Sequence, residues 1–224
     1  MNKLCSLDSA LAKISPGDTV MVAGFTNFGA PNNLINALAG TDTGNLTTIS
    51  EDLGWSNGRF NQGVSRLIEN NLVKKVITSF LGANRIANEY IASGRLELEL
   101  IPQGTLAERI RAAGSGIGGF YTPTGVGTVA AEGKETRVLN GREYLLELPL
   151  GADVALIKAH TADTMGNAVL RYSAKNFNVC MAMAASTVIL EAENVVSPGE
   201  IEPDRVDIPG VFVDYVVHCP EVDF

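Results

Sequence analysis

The chain has 224 residues, 46% of them hydrophobic and 19% charged, and a formal net charge of −8. The apolar fraction excludes a disordered chain, and the acidic balance excludes the basic face that a nucleic acid or an anionic membrane would demand. Cys5, Cys180 and Cys219 lie far apart without a CxxC spacing. With no leader pattern at the start and no apolar run long enough to span a bilayer, this predicts a soluble, cytoplasmic protein with reduced thiols.

In chain order, β-prone runs at Val20 to Ala23, Leu46 to Ser50, Lys75 to Phe80 and Leu96 to Ile101 alternate with amphipathic segments at 32–39, 63–70, 84–93 and 105–113. That alternation predicts a parallel sheet. The first strand runs into GFTNFGAP, a glycine-rich loop at the carboxyl end of a parallel strand, where ligands of open α/β sheets bind. Pro31 falls near the first helical turn and Ala30 offers no capping side chain, so the amides of Asn32 and Asn33 are expected to remain available to an anion or oxyanion. The plain alternative is a tight turn with Phe25 and Phe28 packed inside.

Glu51 and Asp52 follow the second strand at the same edge, as lining of one cleft or as exposed loop acids. Gln103, in PQGT, also lies at a strand end with its amide directed to the cleft mouth. Thr105 and Glu108 form a capping-box pattern for the following helix, which Gly114 stops.

The stretch from Gly114 to Gly133 is glycine-rich and must be ordered by something it touches. Its GSGIGG matches GxGxxG but follows a helix, which argues against dinucleotide binding, and GKET lacks the elements of a phosphate loop. ETRVLNGREYLLEL predicts a hairpin turning at Asn140-Gly141. A strand at Asp153 to His160, a turn at Met165-Gly166-Asn167, a helix near Asn178 to Ser186 and strands at Thr187 to Glu191 and Val211 to His218 complete one domain, 1–224. The fold class expected is α/β: an open, mostly parallel sheet flanked by helices, with an antiparallel patch.

Side-chain chemistry is sparse. His160 ends a strand, in position to face a cleft, and His218 lies in an apolar run near the C-terminus, with core or surface roles the plainer reading of both; no GxSxG elbow is present, and no His/Cys/Asp cluster has metal spacing. Arg171 and Lys175 read as a solvated face or a partner contact, and Met181 and Met183 as core filling.

The combination VAGFTNFGAP, PQGTLAERIRAAGSGIGGFYTPTGVGT, LIKAHTADTMGN and SAKNFN resembles the alpha subunit of the family I coenzyme A transferases of acetate, butyrate-acetoacetate, 3-oxoacid and 3-oxoadipate type, from Ile14 to Val217. The resemblance implies the open sheet of the CoA-transferase and ribose-phosphate-isomerase-like superfamily. It also implies a covalent, ping-pong transfer without a metal, through a glutamyl-CoA thioester on the beta subunit. No Glu-Asn-Gly setting for such a glutamate exists in this chain, so no catalytic nucleophile is expected here, and α2β2 or larger assembly with the beta subunit is.

By the same resemblance the CoA segment is Ala23, Gly24, Phe25, Thr26, Asn27, Phe28 and Gly29, and Gln103, Glu51 and Asp52 belong to the substrate cleft, with CoA or acyl-CoA as substrate and no resident cofactor. Ala23 replaces the usual first glycine, with a methyl expected to narrow the approach, and Pro16 stands where an acidic or amide residue is usual. The acids Glu51-Asp52, where relatives carry asparagines, imply preference for a short monocarboxylate over a dicarboxylate such as 3-oxoadipate. A sugar-phosphate isomerase of related fold and a non-catalytic CoA-binding module are the competing readings.

Overall fold

The computed structural model describes residues 2–26, 28–56, 62–82 and 84–220. Its elements in order are β1 (Leu4–Cys5), α1 (Leu7–Leu11), β2 (Thr19–Val22), α2 (Asn32–Ala39), β3 (Leu46–Asp52), α3 (Val64–Glu69), β4 (Val73–Phe80), α4 (Arg85–Ala92), β5 (Glu97–Leu100) and α5 (Gln103–Gly114). They continue with β6 (Phe120–Thr122), β7 (Thr136–Leu139), β8 (Arg142–Glu147), β9 (Ala152–Asp163), β10 (Ala168–Val169), α6 (Asn178–Ala184), β11 (Ala185–Val196) and β12 (Tyr215–His218).

Among the described residues the main sheet has nine strands in the order β1-β12-β11-β9-β2-β3-β4-β5, all parallel, with β10 paired antiparallel to β9. The central strands bury both faces. Val20, Val22, Leu156 and Ile189 meet Leu34, Ile35 and Leu38 of α2 on one side, and Met21, Ile157, Val188 and Leu190 meet Leu106, Ile110 and Met181 of α5 and α6 on the other. The result is a helix–sheet–helix sandwich, as near-continuous apolar parallel strands require.

The chain leaves β2 toward β3, β4 and β5 on one side, and leaves β9 toward β11 and β12 on the other. The order therefore reverses between β2 and β9, the place where open α/β sheets form a crevice at their carboxyl edge.

The second, three-stranded sheet has the order β6-β8-β7. Its hairpin turns where the sequence predicts it, with φ of 51° at Asn140 and 77° at Gly141. The glycine-rich stretch before it is ordered by pairing, Tyr121 opposite Leu146, and by Thr128, which caps a short helical turn. Buried Glu147 of β8 ties the patch to α5 through Arg109 at 3.9 Å and pairs within the patch with Lys134 at 2.5 Å.

Several expectations need correction. The helix expected at 105–113 begins at Gln103, because Pro102, with φ −53° and ψ 134°, sets the helix start two residues earlier. Thr105 is then turned inward with no hydrogen-bond partner for its hydroxyl among the described residues, and Glu108 pairs with Arg111, so no capping box forms. The final strand is shorter than expected, since Gly210–Phe212 is a helical turn. Met181 is core but Met183 is 36% exposed. The short β1 and α1 lack a sequence signal beyond Ser6, whose hydroxyl caps α1.

Candidate functional site

The loop after β2 is shaped by its glycines. Gly24 has φ of 121°, and a Cβ there would meet Ala30 at 3.0 Å; Gly29 has φ of 75°, and a Cβ would lie 2.8 Å from the Ala174 Cα. Neither position tolerates a side chain without displacement of backbone. Phe25 and Phe28 exchange backbone hydrogen bonds at 3.1 and 2.9 Å, closing a tight bend in which Thr26 adopts φ of 52°. Their rings are not packed inside: Phe25 is 40% and Phe28 67% exposed. The amides of Gly24, Gly29 and Ala30 donate to no acceptor among the described residues. Asn27 lies outside the described residues.

Ala23 is buried with Met21 and Ile49 and also borders a small cavity shared with Gly24, Ala30 and Asp52. From behind, Asn176 donates to the Phe28 carbonyl at 2.8 Å and Asn178 to the Gly29 carbonyl at 3.0 Å. These are the asparagines of SAKNFN, whose role the sequence does not disclose.

On the β3 side, Asp52 holds the loop. Its Oδ2 accepts the Thr26 amide at 2.5 Å and its Oδ1 the Gly54 amide at 2.6 Å. Glu51 and Asp52 are strand residues, since β3 runs to Asp52. Glu51 is buried, with its Oε1 accepting from Ser79 Oγ at 3.1 Å. Burial pushes its carboxyl up to about 7, helped by a hydrogen bond to Asp52 and by that residue's charge. Thr26, Asp52, Leu53, Trp55, Phe80 and Leu81 line a cleft of about 180 Å³.

On the β9 side the expected availability of the α2 amides does not hold. Glu191, fully buried on β11, accepts the Leu34 amide at 3.0 Å and the Asn33 side-chain amide at 2.9 Å. The Asn32 amide turns to the Ala30 carbonyl at 3.0 Å. Protein carboxylate thus occupies the helix start that pattern alone leaves to a ligand. Burial pushes the Glu191 carboxyl up against the opposing pull of the Leu34 amide and Lys158.

Parallel pairing sets Lys158 opposite Glu191, one charged row beyond Leu156 and Ile189, and two residues further on His160 meets Glu193. Lys158 Nζ lies 3.7 Å from Glu191 and 3.3 Å from Glu193, and His160 Nδ1 lies 2.7 Å from Glu193. Burial pushes Glu193 up, but the hydrogen bond from His160 and the charge of Lys158 outweigh it and hold the carboxyl below its usual range. Lys158, His160 and Glu193, with Phe28, Asn32 and Arg171, border a second cleft of about 250 Å³. His160 and Arg171 are therefore cleft residues; Lys175 pairs instead with Asp207 at 2.6 Å.

Asp52 and the glycine loop lie against one another. Gln103, exposed in the first turn of α5, lines neither cleft. Burial pushes the thiols of Cys180 and Cys219 up to about 11, so neither is an activated nucleophile. Among the described residues no group of three or more His, Cys, Asp or Glu is placed to hold a metal ion, and no helix is long and apolar enough to cross a membrane.

An open parallel sheet carrying a glycine loop at its switch point, with a cleft on either side, defines an α/β protein with a crevice at the carboxyl edge of its sheet. The chain belongs to the coenzyme A transferase family, whose family model matches residues 5–219. It is 47% identical over 219 residues to the acetoacetyl-CoA:acetate/butyrate CoA transferase alpha subunit of Clostridium acetobutylicum, covering 98% of this chain and 99% of that one. It is 48% identical over 214 residues to the A subunit of the 3-oxoadipate CoA-transferase of Pseudomonas putida, covering 95% and 91%.

Among solved structures, the acyl-CoA transferase of Escherichia coli O157:H7, in a thioester complex with CoA, superimposes with a TM-score of 0.87 at 24% identity, over 99% of this chain and 48% of that one. That likeness establishes the fold. The chain spans about half the length of this solved transferase and nearly all of the curated subunits.

Proposed function

We propose that the chain is the alpha subunit of a heteromeric CoA transferase, moving CoA between a short-chain acyl-CoA and a carboxylic acid or 3-oxoacid. The observation that carries this reading is near full-length identity of 43–48% to alpha (A) subunits of such transferases, whose names cover acetate, butyrate, 3-ketoacid and 3-oxoadipate transfer. The whole chain acts as a single domain, in the cytoplasm, in an α2β2 or larger assembly with a companion beta subunit.

The division of labour follows from the chemistry. A glutamate carboxylate of the companion attacks the acyl-CoA carbonyl and expels the CoA thiolate, leaving an acyl-glutamyl anhydride. The thiolate then attacks the glutamyl carbonyl and releases the first acid, and the second acid reverses these steps on the resulting thioester. This chain supplies preorganised donors: the Gly24, Gly29 and Ala30 amides face the carbonyl oxygen as charge develops on it. One such donor is worth roughly 3 kcal/mol of barrier. Asp52 holds the loop in register, and the Leu53, Trp55 and Phe80 cleft receives the apolar part of the acyl group.

The test is to purify the chain alone and with its companion and to assay CoA exchange over a panel of short acids. Activity is expected only in the pair, with the thioester on the companion. Turnover or thioester formation by the isolated chain overturns the reading, and turnover of a sugar phosphate favours the isomerase alternative.

A further inference from the structure

Asn176 and Asn178 stand behind the glycine loop and act on its peptide groups. Asn176 Nδ2 donates to the Phe28 carbonyl at 2.8 Å, and Asn178 Nδ2 to the Gly29 carbonyl at 3.0 Å. The Phe28 carbonyl and the Gly29 N–H are opposite ends of one planar trans peptide, and so are the Gly29 carbonyl and the Ala30 N–H. A donor placed behind each carbonyl therefore turns the corresponding N–H the other way. These are two of the loop amides that donate to no acceptor among the described residues. Gly29 borders the cleft beside β9, and Ala30 borders the small cavity shared with Gly24 and Asp52.

Both asparagines are themselves fixed, so the peptides they hold are fixed with them. Asn178 is fully buried; its Oδ1 accepts the Lys158 amide at 2.7 Å, and its Nδ2 also donates to the Ala174 carbonyl at 2.8 Å. Lys158 lies within the ten-position pairing of β9 with β11, which ties the loop to an extensively paired strand. Asn176 Oδ1 accepts the Phe177 amide at 2.5 Å, and its Nδ2 also donates to the Ser173 carbonyl at 2.8 Å. A Cβ at Gly29 would lie 3.0 Å from Asn178 Nδ2, so glycine is what lets the asparagine approach this peptide. A hydrogen bond at a carbonyl also polarises its peptide, which makes the N–H at the other end a stronger donor.

We propose that Asn176 and Asn178 are positioning residues for the transfer reaction: each fixes and polarises one loop peptide from behind, holding the Gly29 and Ala30 N–H groups ready for the oxygen on which charge develops. The proposal rests on the transferase reading, which supplies the reacting carbonyl. In this role neither asparagine touches the substrate. A dipole already aimed needs no rearrangement at the moment of reaction, and an interaction that strengthens only in the transition state raises kcat without changing KM.

The test uses the chain assembled with its companion. Deleting an oxyanion donor outright costs about 100- to 1000-fold in kcat and misaiming one costs less, so Asn176→Ala, at a partly exposed position, is expected to lower kcat about tenfold with KM for acyl-CoA unchanged. Asn178→Ala also strips the Lys158 amide of its acceptor and is expected to lose more, with a lower melting temperature. In a Gly29→Ala background, where the loop is already displaced, Asn176→Ala is expected to lower kcat less than about twofold further, a coupling that a general loss of packing does not give. Isotope labelling of glycine and alanine for NMR reads the same peptides without turnover. The Gly29 amide resonance is expected to move in Asn176→Ala and the Ala30 amide resonance in Asn178→Ala.

An Asn176→Ala assembly with unchanged kcat, or one whose loss lies in KM alone, overturns the proposal, as does full additivity with Gly29→Ala or an unmoved Gly29 resonance. The two readings separate: an unaltered assembly that transfers no CoA overturns the transferase reading, while transfer that survives Asn176→Ala undiminished overturns the positioning role alone.

Discussion

Asp52 Oδ2 accepts the Thr26 amide at 2.5 Å, joining the end of β3 to the tip of the loop that follows β2. The same carboxylate accepts Gly54 N–H through its other oxygen, so one side chain fixes two backbone segments. Hydrogen bonds to an ionised acceptor contribute about 1.5–3 kcal/mol each. Asp52→Ala is therefore expected to lower unfolding stability by about 3–6 kcal/mol in urea titration and CoA transfer by at least tenfold. Asp52→Asn, which keeps one acceptor oxygen, is expected to fall between.

Glu51 makes stability pH-dependent. Its carboxyl is raised by burial from an ordinary 4.5 to about 7, so between those values the unfolded chain releases the proton while the folded chain keeps it. Stability from this residue is complete below about pH 4.5, declines as pH rises toward 7, and is lost above that. At 1.36 kcal/mol per unit the loss is at most about 3 kcal/mol. Glu51→Gln is expected to flatten that slope, with thermal melts at pH 5 and pH 8 as the check.

Glu191 closes the other side of the loop. Replacing it with leucine leaves Lys158 without one of its two carboxylates and removes the acceptor of the Leu34 amide. Removing one member of a buried charged pair costs about 3–5 kcal/mol, and Glu191→Leu is expected to show that loss in chemical denaturation. Glu191→Gln, an isostere that still accepts a hydrogen bond, is expected to lose less.

Gly29→Ala places a methyl carbon 2.8 Å from the Ala174 Cα at a φ of 75°. Backbone strain of that kind costs on the order of 1–3 kcal/mol. The variant is expected to fold with a lowered melting temperature and to lose transfer activity more than stability, because the loop moves away from the donors' positions. Gly94→Ala is the comparison: it has a similar φ of 71° with nothing within 4 Å, so it carries strain without loop displacement.

What is legible in the sequence is local. The 3.6-residue pattern of Asn32 to Ala39 returns α2 with the same bounds, and Asn-Gly returns the hairpin turn. The loop's place at a strand end follows from the same alternation of strand and helix. The capping of α2 by Glu191 links residues 157 positions apart, and no spacing rule reports that. The charged rows of the second cleft are visible as alternation, Leu156-Lys158-His160 and Ile189-Glu191-Glu193, but only the register of β9 against β11 turns two patterns into one wall. The Thr105 pattern misleads because a capping motif carries no information about a proline that starts the helix earlier.

β9 and β11 are twelve residues each and share ten paired positions, whereas β2 meets β9 over three. The molecule is accordingly stiff on one flank and compliant on the other. Amide protons of the long pair should exchange last, near the rate of global opening, while those of Gly24, Gly29 and Ala30 exchange through local excursions. The bend that carries the Gly24, Gly29 and Ala30 amides thus rests beside a fixed abutment, so any companion that clamps it has only a few residues to immobilise.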